Sequence, residues 1–176
     1  METNWNIDAM HSEIGFKVKH MMISNVRGKF AAFNAIAKTD GDDFSSAKFD
    51  FSAAINSIDT GVADRDAHLK SDDFFNAEKF PEMVFKSTGI EKKDDENFII
   101  NGELTIRDVT QPIALTAEFS GIVQDPYGQT KAGLSVNGKI KRSEFGLLWS
   151  AVTEAGKVVV SDDIHLNCDM QFVKEA

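Results

Sequence analysis

The sequence predicts an all-β protein, an eight-stranded antiparallel β-barrel with a short helical insertion at about residues 60–80. Two observations carry this prediction. Apolar and polar residues alternate with a period of two along most of the 176 residues, as they do in half-buried strands. Short turns join the alternating segments, which indicates antiparallel neighbours and favours an up-and-down barrel over a sandwich.

The alternating segments follow one another with a single helical interruption. The alternation slips in phase between Phe30 and Phe33, which predicts a β-bulge. Neither a linker nor a repeat separates the segments, so the sequence predicts one domain over residues 1–176. Apolar rows lie in the segments 14–20, 47–55, 98–106, 113–121, 132–140 and 164–172.

Residues 60–80 have helical rather than alternating spacing. Thr60 is the predicted cap of a short helix, and a second turn carries Phe74 and Phe75. Pro81 returns the chain to an extended state. The two phenylalanines are predicted to form a lid over one end of the barrel.

Composition argues against several classes of partner. The chain has 19 basic and 28 acidic residues and a net charge of −9. This balance argues against nucleic acid and against an anionic membrane surface, because both attract Lys and Arg. The apolar runs are only a few residues long, so no stable membrane insertion is expected. The single cysteine, Cys168, excludes an internal disulfide.

The first residues predict a cytoplasmic location. They lack the basic and apolar regions of a secretory signal peptide. The alternative is a periplasmic protein whose signal peptide has been removed.

The barrel interior is either a dense core or a cavity. The chain has 14 Phe but one Tyr and two Trp, and Phe fills purely apolar space. Barrels of about eight strands either fill with side chains or hold one small ligand. Inward-facing Ala and Gly would leave room between the rings. Composition leaves both alternatives open.

No catalytic or metal-binding set is predicted. The histidines His11, His20, His68 and His165 do not share the spacing of metal ligands. Neither a nucleophile elbow nor a Gly-rich phosphate loop occurs, and Cys168 lies in an inward row as a core thiol does. The sequence therefore predicts no catalytic residue, no metal and no cofactor.

Two polar features have alternative roles. His20 shares a face with apolar residues and is either a hydrogen-bonded structural residue or a polar anchor for a ligand. One alternative is that Arg65 and Asp66 tie the insertion to the barrel through a salt bridge and backbone hydrogen bonds. The other is that Arg65 or His68 contacts a polar or anionic head group at a cavity mouth.

A series of motifs from Trp5 to about Met170 resembles one protein family. The N-terminal motif is Trp5-x-Ile7-Asp8-x-x-His11-Ser12-x-Ile14-x-Phe16-x-Val18-x-His20, followed by Val26-Arg27-Gly28-x-Phe30. The most specific stretch is Ser57-Ile58-Asp59-Thr60-Gly61 with Arg65-Asp66-x-His68-Leu69-x-Ser71-x-Asp73-Phe74-Phe75. Later motifs are Lys79-Phe80-Pro81, Gly102-x-Leu104-Thr105-Ile106-Arg107 and Arg142-x-x-Phe145-Gly146-Leu147. In this order they resemble the YceI-like family.

The resemblance implies an extended lipocalin-like barrel with an apolar tunnel. It implies non-catalytic binding of a long-chain amphiphilic lipid, as carrier or store. The expected ligand is a polyisoprenoid of the quinone or prenyl-diphosphate type, and other long-chain lipids are held by some members. Burial of each CH₂ group would contribute roughly 0.8 kcal/mol to binding.

The predicted ligand-binding residues combine inward strand positions with the insertion and one irregular stretch. His20, Arg65 and His68 are the head-group candidates. Phe145, Leu148 and Trp149 are predicted to border the mouth. The remaining candidates are Ile14, Phe16, Phe30, Phe49, Phe51, Phe74, Phe75, Phe85, Leu104 and Ile106.

Two other functions are compatible with the sequence. One is an enzyme that acts on a lipid inside the barrel, which would need perturbed titratable groups there. The other is a filled barrel whose surface binds another protein. A homodimer is possible with any of the three functions, because exposed apolar lids attract partners.

Overall fold

The computed structural model describes residues 1–20, 23–148 and 160–176. Strands dominate it, and the helix α1 has eight residues. Within the described part of the chain, no helix is long and apolar enough to cross a membrane. In chain order the strands and the α-helix are β1 (Glu2–Ile7), β2 (Glu13–His20), β3 (Ser24–Phe30), β4 (Phe33–Asp40), β5 (Asp43–Ala54), β6 (Ile58–Asp59), α1 (Ala63–Lys70), β7 (Glu82–Lys92), β8 (Asn97–Ile106), β9 (Val109–Gln124), β10 (Thr130–Lys141) and β11 (Val160–Lys174).

Eight of these strands close into an antiparallel barrel, which confirms the predicted fold class. The ring runs β1, β4, β5, β7, β8, β9, β10 and β11, and it closes where Phe172 of β11 pairs with Ile7 of β1. One edge of β11 is covered by β10. The other edge of β11 pairs with two strands in succession, first with β1 and then with β2, where Cys168 lies opposite Ile14. The strand β3 pairs with β2, and the short β6 pairs with β3.

The phase slip after Phe30 marks a break between two strands, so the predicted β-bulge is wrong. Because of the break, β3 pairs with β2 and β6, whereas β4 pairs with β1 and β5. A second break, the 3-10 turn Ala9–His11, separates β1 from β2. There the Ser12 hydroxyl accepts a hydrogen bond of 2.9 Å from the Gln171 amide of β11. That backbone amide therefore keeps a hydrogen-bond partner although the neighbouring strand is interrupted.

One half of the barrel is filled by aromatic side chains. Trp5 is completely buried, and its indole N–H donates to the Thr39 hydroxyl at 2.9 Å. The Trp5 ring lies 5.0 Å from Phe44, which stacks on Phe119 at 4.9 Å, and Phe98 meets Phe119 edge-on. Such pairs add to the burial energy of each ring. This half of the interior is the dense core that the Phe content suggested.

The first turn of α1 has no side-chain N-cap, so the predicted Thr60 cap is wrong. The turn is instead hydrogen-bonded to Thr60, which lies before the helix. The residue before the helix is Val62, whose side chain cannot accept a hydrogen bond. Thr60 instead donates its amide and its hydroxyl to Oδ1 of Asp66, at 2.9 and 2.5 Å. Asp66 lies in the first turn, where a negative charge also stabilises the helix dipole.

Arg107 fastens the end of the insertion to the barrel. It lies in the two-residue turn between β8 and β9, with a left-handed backbone φ of 56°. Its Nη1 donates to the carbonyl oxygens of Phe74 and Gly146, at 3.2 and 3.4 Å. Its guanidinium lies 5.7 Å from the centre of the Phe80 ring. One cation therefore joins the insertion to the segment that follows β10.

Candidate functional site

The barrel contains a cavity of about 290 Å³ beyond its aromatic-filled half. The wall is formed by residues of ten strands, of α1 and of the segments beside them, and almost all of it is carbon. Ligand sites in proteins commonly enclose about 300–1,000 Å³, so this volume suits a slender ligand. The dense core and the cavity are both present, and each occupies part of the same barrel.

Most of the ligand-binding residues predicted from the sequence lie in the cavity wall. They come from β2, β3, β5, β7, β8 and the insertion, as the alternating rows indicated. Contact of these side chains with a ligand stays a prediction. The predicted residues in the wall are Ile14, Phe16, His20, Phe30, Phe49, Phe51, Arg65, His68, Phe74, Phe75, Phe85, Leu104 and Ile106.

The predicted mouth residues near position 145 are not in the described wall. Phe145 is 1% exposed, but the 3-10 turn Arg142–Phe145 directs it into the core beside the cavity. Leu148 is 68% exposed and points away from the interior. Trp149 lies outside the described residues. An irregular apolar stretch gives no period from which to assign a face, so the sequence could not tell which of these side chains line the cavity.

The space beside two inward glycines is filled by aromatic rings. A Cβ atom on Gly28 would lie 2.3 Å from Cζ of Phe16, and one on Gly102 would lie 2.4 Å from Cζ of Phe85. The tip of each ring therefore packs against a glycine of the neighbouring strand, where any larger residue would clash. The expectation that these glycines leave room is wrong, whereas the small Ala35 does line the cavity.

Arg65 and Asp66 converge on Thr60 at one end of the cavity. Nε of Arg65 donates to the Thr60 hydroxyl at 2.7 Å, and Nη2 donates to the Thr60 carbonyl at 2.6 Å. Thr60 is 9% exposed and also lies in the wall. Arg65 therefore fixes the start of the insertion to the residue that directly follows β6, and it also borders the cavity; which of its two predicted roles it has stays a prediction.

His20 and His68 place two imidazoles at the same boundary. His68 lines the cavity, and its Nε2 lies 2.9 Å from Oδ2 of Asp73. Its ring meets Phe74 edge-on at 5.0 Å. His20, the last residue of β2, also lines the cavity, as its alternation phase predicted, whereas His165 is exposed. The polar side chains of the wall are thus mainly groups that can donate hydrogen bonds.

Arg142 is the most deeply buried cation in the described wall, and the sequence analysis did not choose it. It is 5% exposed and follows directly on β10. Its guanidinium donates to the carbonyl oxygens of Leu147, Ser161 and Val160, at 2.7, 3.0 and 3.2 Å. Burial lowers the pKa of Arg142, although an Arg at this depth stays protonated. The motif Arg142-x-x-Phe145-Gly146-Leu147 was the signal that could have identified it.

Asp162 supports the strand that receives the Arg142 hydrogen bonds. Its two carboxylate oxygens accept from the amide and the hydroxyl of Ser143, at 2.9 and 2.8 Å. Burial raises the pKa of Asp162, but the Ser143 hydrogen bonds and the Arg142 charge outweigh burial. The pKa therefore lies below its ordinary value of 3.8.

Acid is expected to remove the stabilisation that Asp162 provides. A lowered pKa in the folded state gives stability above the ordinary pKa, and this stability is lost as the pH falls through the folded-state pKa. Asp162→Asn should lower the free energy of unfolding by about 1 kcal/mol at pH 7 and by clearly less near pH 3. Urea unfolding at both pH values measures this. Asp108→Asn, at an exposed turn, is the control, and an equal loss at both pH values would contradict the assignment.

Cys168 is half-buried in the cavity wall, and its thiol provides an internal probe. Burial raises the pKa of Cys168 to about 11. At pH 8 the native protein is therefore expected to react with a thiol reagent about a hundredfold more slowly than the urea-unfolded chain, since the thiolate is the nucleophile. The single cysteine makes the absorbance change unambiguous. Reaction at the unfolded rate would show that the thiol is open to solvent.

The arrangement is suited to holding an apolar chain with a polar end. Among the described residues no group of three His, Cys, Asp or Glu side chains is placed to hold a metal ion. The high pKa of Cys168 also keeps that wall thiol protonated near neutral pH. The carbon wall can bury a chain, while the groups around Thr60 can donate hydrogen bonds to a head group.

Comparisons with known proteins agree with this architecture. Residues 5–172 match the model of the YceI-like domain family. A UPF0312 protein of Staphylococcus epidermidis is 35% identical over 171 residues, which is 97% of each chain. A YceI protein of Campylobacter jejuni is 38% identical in its crystal structure, with a TM-score of 0.78 over 90% of each chain. A polyisoprenoid-binding domain of Saccharophagus degradans shares the fold at 14% identity, with a TM-score of 0.70 over 97% of this chain and 98% of that one.

Proposed function

This chain belongs to the YceI-like family, and we propose that it binds one long-chain amphiphilic lipid in its cavity without catalysis, as carrier or store. The ligand most consistent with the site is a polyisoprenoid of the quinone or prenyl-diphosphate type. The apolar chain would occupy the carbon-lined part of the cavity. The head group would lie near His20, Arg65 and His68.

The observation that carries the proposal is the carbon wall of the cavity. Each buried CH₂ contributes roughly 0.8 kcal/mol, so five such groups would contribute about 4 kcal/mol before any head-group contact. Phe16, Phe30 and Phe85 present ring faces or edges that accept a branched chain without needing polar partners. Affinity would therefore depend on chain length and branching more than on hydrogen bonds.

A neighbour of the same fold supports the choice of ligand class. The Saccharophagus degradans domain carries polyisoprenoid binding in its description. At 14% identity it shares the barrel with this chain, so its ligand class is extended to this chain as part of the proposal.

The enzyme alternative finds less support in the described wall. Catalysis on a bound lipid needs a general base or a nucleophile with a matched pKa. Arg65 is engaged with Thr60, and Cys168 has a raised pKa. The filled-barrel alternative is disfavoured by the cavity itself.

The test is to identify what the native protein carries and what it takes up. The protein is purified without detergent and extracted with organic solvent, and the extract is analysed by mass spectrometry beside native mass spectrometry of the intact protein. A stoichiometric long-chain lipid is the expected result. A ligand-free protein that also fails to take up an added prenyl quinone and a prenyl diphosphate would overturn the proposal.

A further inference from the structure

Five cations gather on the outer surface of the strands that line the cavity. We call this surface the basic face and define it by Lys17 and Lys19 of β2, Arg27 and Lys29 of β3, and Lys139 of β10. Their neighbours along each strand, such as Phe16 and Phe30, point inward to the cavity wall, so these side chains point outward. Lys17 is half-buried, and the other four are exposed.

The strand register puts like charges side by side. Lys139 of β10 pairs with His165 of β11, His165 pairs with Lys17 of β2, and Lys17 pairs with Arg27 of β3. A row of basic side chains thus crosses four neighbouring strands. Like charges directly opposite each other destabilise a sheet. The row therefore costs stability, which is unexpected in a chain whose net charge is −9.

The acidic groups around the basic face are engaged elsewhere. Asp163 pairs with Lys141 at 3.2 Å. Asp59 lies opposite Lys29 in the register, but its carboxylate accepts from the Gly61 amide at 2.9 Å. Within the described residues, no carboxylate forms an ion pair with any of the five cations. The basic face is thus a cluster of cations that make no direct ion pair among the described residues.

Exposed apolar side chains lie next to this face at the cavity end of the barrel. Ile23, directly before β3, is 84% exposed and follows shortly after the wall residue His20. Leu148 is 68% exposed and directly follows the wall residue Leu147, and Val62 is 48% exposed beside α1. A positive surface with apolar side chains at its edge is the combination that peripheral membrane proteins use on anionic lipids.

We propose that the basic face docks the barrel onto an anionic lipid surface, with Ile23 and the cavity end toward the lipid. This deepens the proposed function and rests on it for its purpose, because a lipid carrier must reach the surface from which its ligand comes. The net charge had argued against such a surface, but the total charge does not reveal how the fold distributes it. The acidic remainder of the chain would keep the docking reversible.

The test is binding of the intact protein to vesicles. One set is phosphatidylcholine alone, and the other is phosphatidylcholine and phosphatidylglycerol in about a two-to-one ratio. We expect co-sedimentation with the anionic vesicles only, and its loss between about 0.1 and 0.5 M NaCl as screening shortens the reach of the charges. Equal binding to both vesicles, or binding that salt leaves unchanged, would overturn the proposal.

A charge-matched pair of variants locates the surface. The triple variant Lys17→Gln, Arg27→Gln, Lys139→Gln is expected to bind anionic vesicles about a hundredfold more weakly, at about fivefold per cation. The control replaces exposed lysines of β4, β5 and β7, where Asp50 lies opposite Lys86. This control changes the net charge equally and should weaken binding less than about threefold, because β4, β5 and β7 are not neighbours of the strands that form the basic face and salt screens distant charges. The control variant is Lys38→Gln, Lys48→Gln, Lys86→Gln.

Further outcomes distinguish this inference from the proposed function. Equal losses in both triple variants would overturn the basic face as the docking surface. Retention on heparin without binding to anionic vesicles would overturn the lipid surface and indicate an acidic macromolecule as partner. Uptake of a prenyl quinone is measured in the same protein samples. Uptake without vesicle binding rejects only the docking, whereas vesicle binding without uptake rejects only the cavity ligand.

Discussion

Replacing Arg142 with methionine is expected to lower the free energy of unfolding by about 4 kcal/mol. The methionine would fill part of the space but donate nothing to the carbonyl oxygens of Leu147, Val160 and Ser161. Each orphaned buried carbonyl costs about 1–3 kcal/mol. These carbonyls also connect the end of β10 to the start of β11, so the loss would loosen the barrel where the cavity lies. Urea unfolding of the ligand-free protein measures the effect.

Two matched variants separate this effect from simple loss of an arginine. Arg27→Met removes an exposed guanidinium from β3 and should change the free energy of unfolding by no more than about 0.5 kcal/mol. Arg142→Lys keeps the charge but not the planar set of donors, and it should fall between the two. If Arg142→Met were as stable as the Arg27 variant, the carbonyl contacts would not hold the two strands together.

Replacing Ala35 with phenylalanine is expected to reduce lipid uptake about a hundredfold while the barrel stays folded. Ala35 is 4% exposed and lines the cavity, so the new ring would occupy space that the proposed apolar chain needs. Displacing about four CH₂ groups removes roughly 3 kcal/mol of burial energy, which gives the expected factor. Because the ring enters a cavity, the cost of overpacking should stay near the low end of about 1–3 kcal/mol.

Uptake of a prenyl quinone, followed by native mass spectrometry, checks this expectation. Ala114→Phe is the control, since Ala114 is exposed on the outer face of β9 and the same ring there should leave uptake unchanged. If Ala35→Phe fails to fold, Val136→Phe fills the same cavity from β10. Full uptake by a folded cavity-filled variant would show that the lipid binds elsewhere.

The architecture could be predicted because it is encoded locally. Period-two alternation and short turns are read within a few residues, and together they gave the strands, their antiparallel pairing and the inward rows. The same alternation put Phe16 and His20 on the inner face of β2. It could not tell how deep a side chain lies. The aromatic rings around Trp5 and those around Phe85 therefore looked alike, although the former fill one half and the latter line the cavity.

The features that escaped prediction depend on distant parts of the chain. Threonine often caps helices, but the Thr60 hydroxyl donates to Asp66 and accepts from Arg65 instead. Arg142 could not be recognised as buried because the carbonyls that accept from it follow later in the chain. The basic face depends on the register between β10, β11, β2 and β3, and no window along the sequence contains that register.

The closure of the barrel through β11 also governs how this chain can fold on the ribosome. Ile7 can pair with Phe172 only after Phe172 has been synthesised. In the same way, β2 can pair with β11 only after the residues around Cys168 have been synthesised. At about 5–20 residues per second, the N-terminal strands spend on the order of ten seconds with open edges. Open edges invite pairing with other chains. The nascent sheet is therefore vulnerable to aggregation until β11 has been synthesised, and a chain interrupted before β11 would keep that vulnerability permanently.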